Sequence, residues 1–253
     1  MVKHCLVDSH AHLDSVDEKD IETILFNARK NNVLEIISCS TSFHSNIKNL
    51  ELAQRFDNIK CAIGLYPLDA IELNEDELNQ AFTYFKEHIN EAVAIGEVGL
   101  DKKYCKNEEE FEKQIEIFKR FIKLSKKYDK PLIIHSRYAT SEVLKILAQQ
   151  NAKKVLLHSF TDSTKLMKQA ISNNWFVGVG LNVLTDMLVQ KRVKEIPLEG
   201  ILLETDAPIK FNNKIAMPDK IKEIAIKIAE LKEISIQEVE EQLLNNYQTL
   251  FTT

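Results

Sequence analysis

Short apolar runs alternate along this chain with longer segments in which apolar residues recur every three or four positions. The first pattern is typical of buried strands and the second of amphipathic helices. The apolar runs predict eight strands, over residues 5–8, 34–38, 60–64, 93–96, 132–135, 155–158, 176–180 and 201–204. The helical segments cover residues 18–31, 42–55, 75–90, 108–128, 140–150, 163–173, 185–195, 217–231 and 235–245.

Eight strands, each followed by a helix, are the number that a closed (β/α)8 barrel requires. The sequence has no linker or break in composition, so we expect an α/β TIM barrel, a single domain over residues 1–253. An open doubly wound sheet is the alternative, but its ligands would cluster at one switch point. No G-x-G-x-x-G or Walker sequence occurs in the chain, which argues against a nucleotide cofactor.

Five of the predicted strands end at, or just before, histidines and carboxylates. These residues are Asp8, His10 and His12 after the first strand, Glu97 after the fourth, His135 and His158 at the ends of the fifth and sixth, and Asp206 after the eighth. Because the carboxyl ends of parallel barrel strands share one rim, we expect these side chains to converge there.

The convergent residues are typical metal ligands. His10 and His12 lie two positions apart, so both point to the same side of a strand. Imidazoles suit Zn²⁺, and carboxylates suit Mg²⁺ and Mn²⁺. Four histidines with Glu97 and Asp206 are too many ligands for one tetrahedral ion, whereas two divalent ions bridged by Glu97 would share them.

Such a pair of ions can activate water and stabilise both the attacking and the leaving oxygen of a phosphodiester. Asp206 is a candidate proton acceptor for the attacking water. Three acidic residues adjoin the candidate ligands and are expected to orient imidazoles: Asp8, Asp101 and Glu204. For Asp101 and Glu204, helix capping or packing is the alternative role.

The composition narrows the class of substrate. A formal net charge of -5 argues against bulk electrostatic binding of nucleic acid, but not against an enzyme that contacts a few phosphates. The residues expected to contact a phosphate or a base are Lys102, Lys103, Tyr104 and Arg137. For the two lysines, the alternative is that they are solvent-exposed and have no functional role.

The compartment is expected from three further features. The four cysteines form no C-x-x-C pair, which favours a reducing, cytoplasmic setting. No apolar stretch approaches 18 residues, so no membrane span is expected. The chain runs straight into its first strand, which leaves no room for a signal peptide.

The sequence resembles the TatD-related metal-dependent deoxyribonucleases, within the wider group of amidohydrolase-like barrels. The resemblance covers nearly the whole chain. It rests on DSHAHLD at 8–14, GEVGLD at 96–101, KPLIIHSR at 130–137, HSF at 158–160 and ETDAP at 204–208.

The resemblance implies a two-metal site with Glu97 as the bridging ligand. It also implies cleavage of DNA, often from an end and supported by Mg²⁺ or Mn²⁺, in the cytoplasm. Single strands or DNA ends are the expected substrate, and no obligate protein partner or membrane is expected. The implied ligands are His10, His12, Glu97, His135, His158 and Asp206.

The chain departs from the family pattern at the substrate side. The family's G-x-H-P-H is replaced by GLYPL at 64–68, so Tyr66 and Leu68 stand where two histidines are usual. Tyr66 is expected to contact substrate, by a hydrogen bond or by stacking on a base. The family's arginine and asparagine after E-T-D-x-P are not evident in 210–218, although Asn246 is retained.

These departures keep two other functions open. One is a D-aminoacyl-tRNA deacylase or another amidohydrolase that attacks an ester or amide on the same scaffold. The other is a non-catalytic binding protein. Such a protein should have lost metal ligands, and the sequence keeps all six.

Overall fold

The parallel sheet of this protein brings eight strands to a common rim. A computed structural model describes residues 5–252. The strands run in the order β1 to β8 around a nearly closed barrel, and each is parallel to its neighbour. They are β1 Leu6–Ala11, β2 Val33–Cys39, β3 Ile59–Ile63, β4 Ala94–Asp101, β5 Leu132–Arg137, β6 Val155–Leu157, β7 Phe176–Val179 and β8 Ile201–Leu203. The predicted (β/α)8 barrel is confirmed.

Ten α-helices surround the barrel within the described residues. They are α1 Ile21–Lys30, α2 Phe43–Arg55, α3 Pro67–Glu72, α4 Glu75–His88, α5 Glu108–Tyr128, α6 Thr140–Gln149, α7 Thr164–Ser172, α8 Met187–Glu195, α9 Ile221–Lys232 and α10 Ile236–Phe251. Ser235 caps α10 in a capping box with Glu238, because its hydroxyl accepts from the Glu238 backbone. None of these helices is long and apolar enough to cross a bilayer.

The first and last strands are joined beyond the sheet ladder. Ser9 Oγ donates to the Leu203 carbonyl at 2.7 Å. Past the end of β8, the Asp206 backbone N–H donates to the His10 carbonyl at 2.9 Å. These bonds place Asp206 directly beside His10 of β1 and close to His12, which follows the strand.

The other end of the barrel is covered by α10. Tyr247 and Leu250 pack with the residues that fill the barrel interior, which include Ile37 and Leu156. Asn246 Nδ2 donates to the Ile201 carbonyl at 2.7 Å, at the start of β8. The retained Asn246 therefore anchors the terminal helix, on the opposite side from the rim.

An α-helix and a β-hairpin were not predicted. The helix α3 has only six residues, too few to show a helical repeat. The hairpin of β9 Ile209–Phe211 and β10 Lys214–Ala216 turns through Asn212 and Asn213, which both have positive φ as a tight hairpin turn requires. Both elements lie at the rim.

Three strands also extend past their apolar runs. The ladder between β4 and β5 continues through the pairs Gly99 with His135 and Asp101 with Arg137. An apolar pattern ends where the polar side chains begin, whereas the backbone pairing does not. His10, Glu97 and His135 thus lie within strands, whereas the other three candidate ligands follow shortly after strand ends.

Candidate active site

The Glu97 carboxylate lies at the centre of the rim, with two histidines on each side. Its Oε2 lies 3.6 Å from His10 Nε2 and 3.4 Å from His12 Nε2. Its Oε1 lies 2.6 Å from His135 Nδ1 and 3.0 Å from His158 Nε2. Each carboxylate oxygen therefore faces its own pair of imidazoles.

Asp206 completes the first of these two groups. Its Oδ1 lies 3.4 Å from His10 Nε2 and 3.3 Å from His12 Nε2. The Asp206 side chain is 32% exposed, whereas that of Glu97 is 4% exposed. Asp206 is therefore the carboxylate that water can reach most easily.

These donors fit divalent metal ions. Ligand atoms lie within 4.8 Å of one another in three groups. In the part of the chain that the structure describes, the buried side-chain atoms without a hydrogen-bond partner also belong to this cluster: His10 Nδ1, His158 Nδ1 and Glu204 Oε2. The metal-binding groups are His10 with His158 and Asp206, His10 with His12 and Glu97, and Glu97 with His135 and His158.

The protonation of three ligands also suits a metal site. Burial raises the pKa of Glu97, but the charge of His158 and hydrogen bonds with neighbouring histidines outweigh burial and leave this pKa well below its usual value. Hydrogen bonds from His10 outweigh burial in the same way and lower the pKa of Asp206. Burial lowers the pKa of His10 to about 4. Burial also lowers the pKa of His158, but Glu97 outweighs burial and raises this pKa to about 9. Asp206 and Glu97 likewise outweigh burial and raise the pKa of His12 well above its usual value. Because ionised carboxylates and neutral imidazoles are the forms that bind metal, His12 and His158 would release a proton when a metal ion binds.

Two histidines are oriented by a contact at the ring nitrogen that faces away from the centre of the site. His12 Nδ1 is 2.9 Å from the Cys39 carbonyl, so this nitrogen carries the proton and Nε2 is left for a ligand. His135 Nε2 is 3.0 Å from Asp101 Oδ2, which leaves Nδ1 facing Glu97. Asp101 thus has the orienting geometry expected from its position.

The other two acidic neighbours have different contacts. Asp8 accepts from the Thr205 backbone at 3.0 Å and from the Thr205 hydroxyl at 2.5 Å, which braces the segment after β8. Glu204 Oε1 accepts from the Ser159 backbone at 2.5 Å and lies 3.8 Å from His158 Nδ1, too far for a hydrogen bond.

Of the five predicted substrate residues, Arg137, Tyr104 and Lys103 lie together, whereas Lys102 and Tyr66 have other contacts. Arg137 is 45% exposed, and its guanidinium carbon lies 5.7 Å from the centre of the Tyr104 ring. Lys103 Nζ lies 5.1 Å from the same ring. Lys102 instead points to Phe111 at 4.5 Å and to Glu108 at 3.9 Å. The fifth residue, Tyr66, donates its hydroxyl to Asp101 Oδ2 at 2.5 Å.

A groove of about 590 Å³ leads along the rim past His135, His158 and Asp206. Its lining also includes residues that the sequence did not single out, among them Tyr138, Asn182 and Arg192. Tyr138 directly follows Arg137 and is 77% exposed, so its place in the sequence was a usable signal. Asn182 and Arg192 carried no such signal, because a short 3-10 helix at Leu181–Leu184 and the last turn of α8 bring them to the groove.

A buried cluster of histidines and carboxylates at the carboxyl ends of a (β/α)8 barrel defines the class of metal-dependent hydrolases. A sequence model of the family described as TatD related DNase matches residues 7–252, and the chain belongs to this family. The family assignment makes the protein a hydrolase that acts on ester bonds.

Two relatives match over nearly their whole lengths. The Bacillus subtilis protein named uncharacterized metal-dependent hydrolase YabD is 33% identical, over 97% of this chain and 98% of its own. The human deoxyribonuclease TATDN3 is 30% identical, over 97% of this chain and 94% of its own.

A solved structure has the same fold. The crystal structure of YjjV, a TatD homologue from Escherichia coli K12, superimposes with a TM-score of 0.89. It is 27% identical and covers 99% of both chains.

Proposed function

We propose that the protein is a deoxyribonuclease that hydrolyses DNA phosphodiester bonds at a centre of two divalent ions, Mg²⁺, Mn²⁺ or Zn²⁺. The observation that carries this proposal is the Glu97 carboxylate, whose two oxygens each face a different pair of histidines. One carboxylate between two donor pairs suits two ions better than one. The proposed ligands are His10, His12, Glu97, His135, His158 and Asp206.

Two carboxylates have the catalytic roles. Bound divalent ions would activate water and neutralise charge on the phosphate oxygens. Glu97 holds the two halves of the centre together, since it is buried and lies within reach of both histidine pairs. Asp206 accepts the proton of the attacking water, because it is ionised, partly exposed and beside the groove.

The substrate is held at one end of the groove. Arg137 binds a phosphate through two parallel hydrogen bonds. Tyr104 and Tyr138 offer exposed rings to a base, and the Lys103 ammonium lies 5.1 and 6.0 Å from their centres. Stacking requires an unpaired base, which supports single strands or frayed ends and cleavage from an end. Lys102 contributes positive charge at a greater distance from the bound strand than Lys103 does.

The TATDN3 name supports DNA rather than another ester as the substrate. We place the enzyme in the cytoplasm, acting without an obligate protein partner.

Two substrates offered to the same preparation test this function. We expect Mn²⁺-loaded protein to shorten a single-stranded oligonucleotide, and Asp206→Asn to lose this activity because the proton acceptor is removed. A D-aminoacyl-tRNA should remain charged. Release of the amino acid with the oligonucleotide left intact would instead assign the centre to a carbonyl ester and contradict the proposal.

A further inference from the structure

We infer that Tyr66 is a positioning residue for the metal centre: its hydroxyl holds Asp101 so that His135 presents Nδ1 beside Glu97. This inference rests on the proposed ligand set. It concerns a position where the chain differs from the pattern of the family that it resembles, and it gives Tyr66 a role behind a ligand instead of on the substrate.

The four groups form one continuous chain of contacts. Tyr66 donates to Asp101 Oδ2 at 2.5 Å, and the same oxygen lies 3.0 Å from His135 Nε2. The other ring nitrogen of His135 lies 2.6 Å from Glu97 Oε1. A change at the phenol hydroxyl is therefore three contacts away from the proposed bridging carboxylate.

Asp101 is placed to pass on this constraint. It is 0% exposed, and its Oδ1 accepts the Lys103 backbone N–H at 3.1 Å. Its own backbone N–H donates to Gln114 Oε1 at 2.8 Å. With the backbone and Oδ1 held, the Tyr66 hydroxyl and the His135 ring are the two groups within hydrogen-bond distance of Oδ2.

Tyr66 is itself held in place. Its backbone N–H donates to the Thr41 carbonyl at 2.7 Å, and Pro67 begins α3 directly after it. Its ring meets that of His135 edge-on, with centres 4.9 Å apart and planes at 71°. The ring can therefore direct its hydroxyl only a short way from Asp101.

Removing this hydroxyl leaves Asp101 Oδ2 with one close donor fewer. The Arg137 guanidinium, 3.8 Å from the same oxygen, is then the nearest cation that can draw the carboxylate away from His135. Once the carboxylate moves toward Arg137, His135 loses the partner that selects Nδ1 as the free nitrogen. Changes in such outer contacts typically weaken metal binding by about 10- to 100-fold.

The test is a calorimetric titration of metal-stripped protein with Mn²⁺, using Tyr66→Phe. We expect at least one binding step to weaken by about 10-fold or more. Tyr84→Phe is the matched control, because Tyr84 lies on α4 and packs against Phe43 and His88. Thermal melting of each variant shows whether the fold is kept.

A double-mutant cycle shows whether Tyr66 acts through Asp101. If it does, Tyr66→Phe should have little further effect on Mn²⁺ affinity once Asp101→Asn is present. Substrate contact by Tyr66 would have another signature, a higher KM for DNA with unchanged metal affinity, and this outcome would overturn the inference. So would additive losses in the double variant. If the unmodified protein binds no Mn²⁺, the proposed function itself fails.

Discussion

A methyl group at Gly99 should disable the centre without touching a ligand side chain. Gly99 lies on β4 opposite His135 on β5 and has a φ of +142°, a backbone conformation that residues other than glycine rarely adopt. A Cβ there would lie 2.1 Å from the His135 carbonyl oxygen, about 1.3 Å closer than ordinary contact. The obstacle is backbone, so β5 must move away and carry His135 with it.

The expected loss follows from this displacement. Misplacing a catalytic group by about 1 Å can cost roughly 100-fold in rate, which is about 2.7 kcal/mol of transition-state stabilisation. We therefore predict that Gly99→Ala lowers kcat/KM about 100-fold, weakens Mn²⁺ binding and lowers Tm. The assay is hydrolysis of bis-p-nitrophenyl phosphate by metal-loaded protein, with calorimetry and thermal melting beside it.

Gly180→Ala is the matched control, because its Cβ would have its nearest neighbour at 3.5 Å, the Glu204 carbonyl oxygen. We expect this variant to keep its activity and metal affinity. Unchanged metal binding and turnover in Gly99→Ala would contradict this prediction, since they would show that β4 and β5 accept the methyl group without moving His135.

Three further predictions concern substrate, metal and core. Arg137→Lys should raise KM for an oligonucleotide about tenfold and leave Mn²⁺ affinity unchanged, because lysine cannot make the paired phosphate contact; equal KM values would contradict this role. Mn²⁺ at about 100 times its Kd should stabilise the fold by about 2.7 kcal/mol and raise Tm by several degrees in calorimetric scans, and an unchanged Tm would count against the metal site. Phe85→Ala should cost about 3–5 kcal/mol in denaturant unfolding, because Phe85 is fully buried between Phe82 and Phe121; a loss below about 1 kcal/mol would contradict the packing described.

The barrel and the convergence of the ligands were predictable because one simple pattern carries both. Each apolar run is long enough to mark a buried strand, and the polar residue that ends it marks the rim. His135 and His158, 23 positions apart, were expected to meet for this reason, and Nδ1 of one lies 3.2 Å from Nε2 of the other.

The surroundings of the ligands were harder to predict, because they depend on elements with no periodic pattern. Tyr66 was expected to face substrate, but the short helix α3 places its hydroxyl on buried Asp101. Arg192 reaches the groove from α8, where its guanidinium donates to the Thr161 carbonyl at 2.6 Å. In each case the direction of a side chain depends on a turn of only a few residues.

We propose that two metal ions held around Glu97 are required for DNA cleavage. The most direct measurement titrates metal-stripped protein with Mn²⁺ and follows, in the same samples, the ions bound per chain and the cleavage of end-labelled single-stranded DNA. We expect cleavage to appear only as the number of bound ions approaches two, and Glu97→Gln to lower both the number of bound ions and the rate of cleavage. Stepwise shortening of DNA by metal-free protein, or intact DNA with two ions bound, would contradict this proposal.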